Sequence, residues 1–221
     1  MISSQVISQE LVDEYNTARP VKDPSVLCHA PFGNIYFNQS GDAVACCYNT
    51  THVLGTYPKD SLHAMWFGDK AKQLRQYIRD RDLGGGCQSC AHQMHSRNFT
   101  GQMSVFDHLA RDRGKASEDA LAMPRQLEFS LTNTCNLECV MCGGNWSSLI
   151  RRNREKLPPL ESPYDDGFVQ QLDEFLPHLH SAKFFGGEPF LIRIYHDIWD
   201  RIRAVNPKIK VSVTTNATTL T

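Results

Sequence analysis

The chain has 221 residues, 41% of them hydrophobic and 21% charged, with a formal net charge of −1. That length allows one large domain or two small ones with a real core, and the balanced charge lacks the basic excess of a nucleic-acid-binding surface. No run of about 18 apolar residues occurs, so no membrane-spanning helix is expected, and the opening MISSQVISQELVDEYN has acidic residues and no apolar core of signal-peptide length. A cytoplasmic location follows as the expectation. In that reducing setting the eight cysteines, Cys28, Cys46, Cys47, Cys87, Cys90, Cys135, Cys139 and Cys142, read as metal ligands rather than disulfides.

Taken in chain order, an N-terminal segment (1–23) precedes a first cysteine-bearing region (24–112). Ile35–Phe37 is a β-prone run, NQSGD is a turn and Ala43–Cys47 returns, which predicts a hairpin. DKAKQLRQYIRDRD predicts a helix with Asp69 as its cap and Leu74 and Ile78 on one face. Gly84, Gly85 and Gly86 then permit a sharp turn into the Cys87–Cys90 pair. The polar stretch from Phe106 predicts a helix running into a linker (113–124).

The second region (125–221) alternates. QLEFSL predicts a strand, NWSSLIRRNREK a helix, LPPLESPYDD a loop and DGFVQQLDEFLPHL a helix whose Phe168, Leu172 and Phe175 share a face. AKFFG predicts a strand, IRIYHDIWDRIRAV a helix and IKVSVTT a third strand. The order β-α-α-β-α-β is that of a parallel sheet with helical crossovers. Binding residues in α/β sheets gather at the carboxyl ends of strands. The first strand runs into TNTCNLECVMC, the second ends in Gly186, Gly187, Glu188 and Pro189, and the third ends in Thr214, Thr215 and Asn216. Three loops are thus expected at one rim.

Cys135, Cys139 and Cys142 are one ligand short of the four that a zinc ion or a cubic iron–sulfur cluster takes. On a cubic cluster, three cysteines leave one iron open to a chelating guest, such as the amino and carboxylate groups of an amino acid. A double glycine lets such a guest approach the backbone, whose carbonyls could accept from an ammonium group, and Glu188 could add a charge-assisted bond.

CNLECVMC followed by GGEP resembles the radical S-adenosylmethionine (radical SAM) superfamily. The resemblance implies an α/β fold, here the first half of a partial (β/α)6 barrel with parallel strands. It implies that Cys135, Cys139 and Cys142 hold a [4Fe–4S] cluster whose open iron binds SAM, with Gly186, Gly187, Glu188 and Pro189 around the methionyl group. An external electron donor would reduce the cluster, and SAM cleavage would yield a 5′-deoxyadenosyl radical that takes a hydrogen atom from a peptide or protein substrate. Met141 stands where an aromatic residue often faces the adenine. Asn216 matches the third-strand end, where Ala217 replaces a common glycine. The six units of the family barrel make a chain that reaches three strands look incomplete at its C-terminus.

In the first region, Cys28, Gly41-x4-Cys46 and Cys87-x2-Cys90 resemble the SPASM/twitch auxiliary domain of such enzymes, which here precedes the barrel instead of following it. The resemblance implies a second, fully ligated [4Fe–4S] cluster on Cys28, Cys46, Cys87 and Cys90. Cys47 is an alternative to Cys46, because adjacent strand residues face opposite ways. Read without these resemblances, the four cysteines could bind structural zinc, making the chain a non-catalytic interaction module. A radical SAM relative serving as a binding subunit is another possibility. His29, His92 and His95 flank the first set but read as packing or surface residues. Trp66, Trp146 and Trp199 read as core, and Arg151 and Arg154 as a solvated helix face.

Overall fold

The computed structural model describes residues 5–19, 26–101, 103–112 and 122–220. They form two compact units. The first comprises Met1–Ile35, Val44–Leu54 and His63–Arg125, and the second Tyr36–Ala43, Gly55–Leu62 and Gln126–Thr221. This division departs from the expected split near residue 113, because the hairpin tip and Gly55–Leu62 group with the C-terminal strands. Positions 113–121, most of the expected linker, lie outside the described residues.

In the first unit, α1 (Gln9–Ala18) starts at Ser8, whose hydroxyl accepts the Leu11 N–H at 3.3 Å. Leu11, Val12 and Tyr15 pack into an apolar cluster with Val26, Leu27, Ile78, Leu83, Met94 and Phe106. Arg19 ends the helix and is itself buried. Its guanidinium pairs with Asp107, donates to the Val26 carbonyl at 3.1 Å and lies over the Tyr15 ring. A buried charge so partnered fixes α1 against the segment carrying Asp107.

The short α2 (Ala30–Gly33) follows Cys28, and α3 (Leu62–Phe67) leads to α4 (Asp69–Arg79). Gly68, not Asp69, is the N-cap of α4, and Asp69 sits in the first turn, where its charge suits the helix dipole. The helix stops at Arg79, short of the predicted Asp82, and Arg81 turns the chain with a φ of 59°. Its buried face holds Arg75 beside Ala71, Leu74 and Ile78. The guanidinium lies 4.3 Å from the Trp66 ring centre and donates to the Pro31 and Trp66 carbonyls. The Cys87-x2-Cys90 pair opens α5 (Gln88–His95), with Cys87 as N-cap. Ser104–Asp112 is a 3-10 helix where an α-helix was expected.

The strands are β1 (Asn34–Phe37), β2 (Asp42–Val44), β3 (Gly55–Thr56), β4 (Gln126–Phe129), β5 (Ser181–Phe184) and β6 (Lys210–Val213). They make one six-stranded sheet in the order β3-β2-β1-β4-β5-β6. β4 and β5 pair in parallel with Gln126 opposite Ser181, and β5 and β6 with Ser181 opposite Lys210. The architecture is therefore mixed α/β, with parallel pairing through β4, β5 and β6 and an antiparallel β2–β3 pair at the other edge of the sheet. The hairpin is not confined to a separate small domain: β1 neighbours β4, and the Ser130 N–H donates to the Phe37 carbonyl at 2.9 Å.

Phe168 anchors the second unit's core against Phe37, Phe129, Tyr57 and Tyr164. It comes from α7 (Asp166–Gln171), capped by Asp165, which is much shorter than predicted. The chain continues in two 3-10 turns around Pro177, whose missing N–H and restricted predecessor oppose α-helix. α6 (Ser148–Asn153) is also shorter than predicted, with Ser147 as its cap, while α8 (Arg193–Val205) runs almost as predicted. From α8 the Tyr195 hydroxyl accepts the Leu131 N–H at 2.9 Å and donates toward the carbonyls of Phe129 and Phe185, at 3.0 and 2.7 Å. One buried side chain thus secures the ends of β4 and β5 where their loops begin. Among the described residues no helix is long and apolar enough to cross a membrane.

Candidate metal centres

None of the eight cysteines is joined in a disulfide. Four of them, Cys28, Cys46, Cys87 and Cys90, line one pocket in the first unit, walled by Ala30, Pro31, Ile78, Leu83, Met103 and Phe106. They arrive on three elements: Cys28 just before α2, Cys46 in the turn after β2, and Cys87 and Cys90 at the start of α5 and one turn into it. Cys46 is buried and faces the pocket, whereas Cys47 is exposed and does not line it. His29 is buried next to Cys28, but neither it nor His92 or His95 lines the pocket.

Burial raises all four thiols above their ordinary range, to about 12 for Cys46 and about 11 for Cys87. Opposing that, the backbone amide of Ala30 favours the charged form of Cys28 and those of Tyr48 and Asn49 that of Cys46, while the Asn49 side-chain amide donates to the Cys87 sulfur at 3.3 Å. Donors aimed at sulfur in an apolar pocket suit an anionic iron–sulfur centre held by thiolates. Among the described residues no three His, Cys, Asp or Glu side chains stand close enough to share a single metal ion. A cubic cluster gives each thiolate its own iron and does not need that convergence.

The raised thiols carry a pH consequence. Above about pH 8.5 the unfolded chain gives up cysteine protons that the folded, metal-free chain retains. Stability of that form falls as pH rises from about 8.5 toward the folded value of about 11 for Cys87. Bound thiolates carry no proton, so a loaded chain takes up protons on unfolding below about pH 8.5 and gains stability with rising pH there. Anaerobic melting curves from pH 7 to 10, with and without iron and sulfide, are expected to give slopes of opposite sign below and above that point. Parallel slopes in the two forms would contradict ligation by these thiols.

The second group lies in the other unit. Cys135, Cys139 and Cys142 line an open pocket together with Leu137, Trp146, Ser147, Gly186, Gly187, Thr214, Thr215 and Asn216. Three loops, following β4, β5 and β6, meet there. The cysteine loop is internally braced: Asn133 donates to the Gly144 carbonyl at 2.7 Å, the Ser147 hydroxyl to that of Leu137 at 2.7 Å, and the Cys135 N–H reaches Ser148 Oγ at 3.1 Å. Asn216 joins in by donating to Asn136 Oδ1 at 2.9 Å. Gly186 and Gly187 both take left-handed φ, 83° and 54°, and a Cβ on Gly187 would stand 2.1 Å from the Thr134 carbonyl oxygen. Bare backbone at these positions is what lets the β5 loop lie against the cysteine loop.

Not every expected residue reaches the pocket. Glu188 is fully buried and does not line it. Its N–H donates to the Thr134 carbonyl at 2.7 Å, and its carboxylate accepts from the Phe190 N–H at 3.1 Å, the Thr215 hydroxyl at 2.7 Å and the Asn216 N–H at 2.8 Å. It is a clasp joining the three loops, where a contact to the guest was expected. Pro189 is buried at the start of a 3-10 turn, also off the pocket. Met141 is 89% exposed and does not line it. Trp146, which reads as core in the sequence, lines the pocket instead with 46% of its surface exposed. Its polar neighbours Asn145 and Ser147, and its place four residues after Cys142, are the sequence signals that could have shown this. Ala217 adopts a φ of 60°, the conformation of the glycine that the resemblance implies there.

Residues 28–91 match the family model SPASM, an iron-sulfur cluster-binding domain. That span carries all four cysteines of the closed pocket. No curated protein matches the chain, and no solved structure does.

Proposed function

We propose that this chain is a radical SAM protein with an auxiliary iron–sulfur cluster, acting on a peptide or protein side chain and fed by an external electron donor. The observation that carries the reading is the meeting of Cys135, Cys139 and Cys142 with the left-handed Gly186–Gly187 backbone and Asn216 in one pocket. The SPASM match over 28–91 supports it, since that domain is associated with radical SAM proteins. In this reading the parallel strands β4, β5 and β6 begin a partial barrel.

A [4Fe–4S] cluster on the three cysteines supplies reductive cleavage of SAM to a 5′-deoxyadenosyl radical when SAM is bound at its open iron. The chain's own part is positioning. Gly186 and Gly187 present backbone carbonyls and amides without side chains in the way. Glu188 keeps the three loops in register and leaves the guest's ammonium group to backbone carbonyls at the rim. Trp146 and Leu137 give the pocket an apolar wall, and the half-exposed indole is available to stack on a planar ring. Cys28, Cys46, Cys87 and Cys90 hold the second cluster with no coordination position left over, which suits electron transfer or structural support.

Anaerobic reconstitution with iron and sulfide, followed by dithionite and SAM, tests the reading. About eight irons and eight sulfides per chain are expected for two cubic clusters, with 5′-deoxyadenosine formed. Zinc without acid-labile sulfide would sink it in favour of a zinc-stapled module. Two full clusters without 5′-deoxyadenosine would favour a relative that serves as a binding subunit.

A further inference from the structure

Resting on the reading of Cys28, Cys46, Cys87 and Cys90 as cluster ligands, we propose that Asn49 is a positioning residue that raises the reduction potential of the auxiliary cluster through its side-chain N–H···S hydrogen bond to Cys87. Asn49 is only 2% exposed, lines the pocket and is no ligand itself. Its side-chain NH2 donates to the Cys87 sulfur at 3.3 Å and to the Gly85 carbonyl at 3.0 Å. Its Oδ1 accepts the His52 N–H at 3.1 Å. Because Oδ1 is engaged by a backbone donor and the NH2 by a backbone carbonyl, the amide has one orientation, with a donor on sulfur. Flipping it would set oxygen against oxygen at Gly85 and against a thiolate at Cys87.

The main chain ties the residue to a second ligand: the Asn49 backbone N–H donates to the Cys46 carbonyl at 3.1 Å. A single buried residue is therefore bonded to one thiol at the start of α5 and to the backbone of another ligand in β2's turn. The surroundings keep it there. Gly86, beside Cys87, has a φ of 87°, and a Cβ at that position would stand 2.2 Å from Asn49 Oδ1 and 2.7 Å from Thr51 Oγ1. A donor on a cluster sulfur stabilises the more negative, reduced state over the oxidised one, and in a pocket this apolar few other groups compete with it.

The test uses the full chain carrying Cys135→Ala, Cys139→Ala and Cys142→Ala, so that one cluster is titrated. Asn49→Asp keeps the side chain's shape but removes the NH2 and adds charge; Asn49→Ser removes the long donor without adding charge. Iron and sulfide per chain are measured, then the midpoint potential by dithionite titration followed by electron paramagnetic resonance. Both variants are expected to load as the parent does and to show a lower potential. The expected shift is about tenfold in the oxidised-to-reduced ratio at fixed potential, or about 59 mV for one electron. An unchanged potential in a loaded Asn49→Ser variant would overturn the proposal, since a fall in Asn49→Asp alone would be a charge effect. Loss of iron from both variants would also overturn it, because Asn49 would then hold the ligands in place without tuning the cluster. A parent without iron and sulfide would overturn the cluster reading itself, and this proposal with it.

Discussion

Changing Cys135, Cys139 and Cys142 together to alanine is expected to abolish 5′-deoxyadenosine formation and to remove about four irons per chain, leaving the other four cysteines loaded. The three thiols lie on one loop that is braced by Asn133, Ser147 and Ser148 through hydrogen bonds not involving sulfur. The fold should therefore survive their loss. None of them is deeply buried, so truncation to alanine leaves no sealed cavity. The four remaining cysteines sit in the other compact unit with their own apolar walls. Iron and sulfide analysis beside a product assay separates the outcomes. Product persisting in the triple variant would refute the site, and loss of all eight irons would mean that the two centres are not independently held.

The second large effect is expected at Gly187. An alanine there must carry its Cβ at a φ of 54°, which costs a side-chain-bearing residue about 1–2 kcal/mol. It also drives the Cβ to 2.1 Å from the Thr134 carbonyl oxygen, which is backbone and cannot swing aside. That same carbonyl accepts the Glu188 N–H, so the displaced strand-end loop loses its bond to the cysteine loop. Gly187→Ala is expected to lower stability by about 2 kcal/mol or more and to weaken SAM binding at least tenfold. Gly143→Ala is the control, because its Cβ would meet only Glu155 Oε1, at an ordinary 3.6 Å. Calorimetric titration with SAM on both reconstituted variants decides it. Equal affinities would mean that the close approach at Gly187 has no bearing on the pocket.

The sequence already carried the meeting of three loops, because strand, loop and helix alternate and each loop follows a strand. Position along a parallel sheet then dictates which end the loops share. What it did not carry depends on distant partners. The run Ile35–Phe37 reads as a strand, but nothing local says that it pairs beside β4; that follows from Phe37 finding Phe129 and Phe168. Glu188 reads as a ligand contact because a carboxylate there could form a charge-assisted bond to a guest's ammonium group. Its actual partners, Thr215 and Asn216, come from the next strand end. Trp146 reads as core because indole usually is, yet the turn at Gly143 and Gly144 carries it to the pocket mouth. Alternation does not choose between Cys46 and Cys47, because it presumes a strand. The strand ends at Val44, and a turn decides which thiol is inward. The helix around Phe168 is shorter than its apolar pattern suggests for a simpler reason: Pro177 lies within the pattern and opposes α-helix.

The clasp at Glu188 also bears on how such a chain matures. Its carboxylate is satisfied by groups on the β6 loop, which leaves the ribosome long after the cysteine loop has emerged. Until that loop arrives, the nascent rim has its three thiols but not the bonds that hold the neighbouring backbone in place, and a buried carboxylate without those donors stays hydrated. The rim therefore takes its finished form only once Asn216 has been translated, well after Cys142.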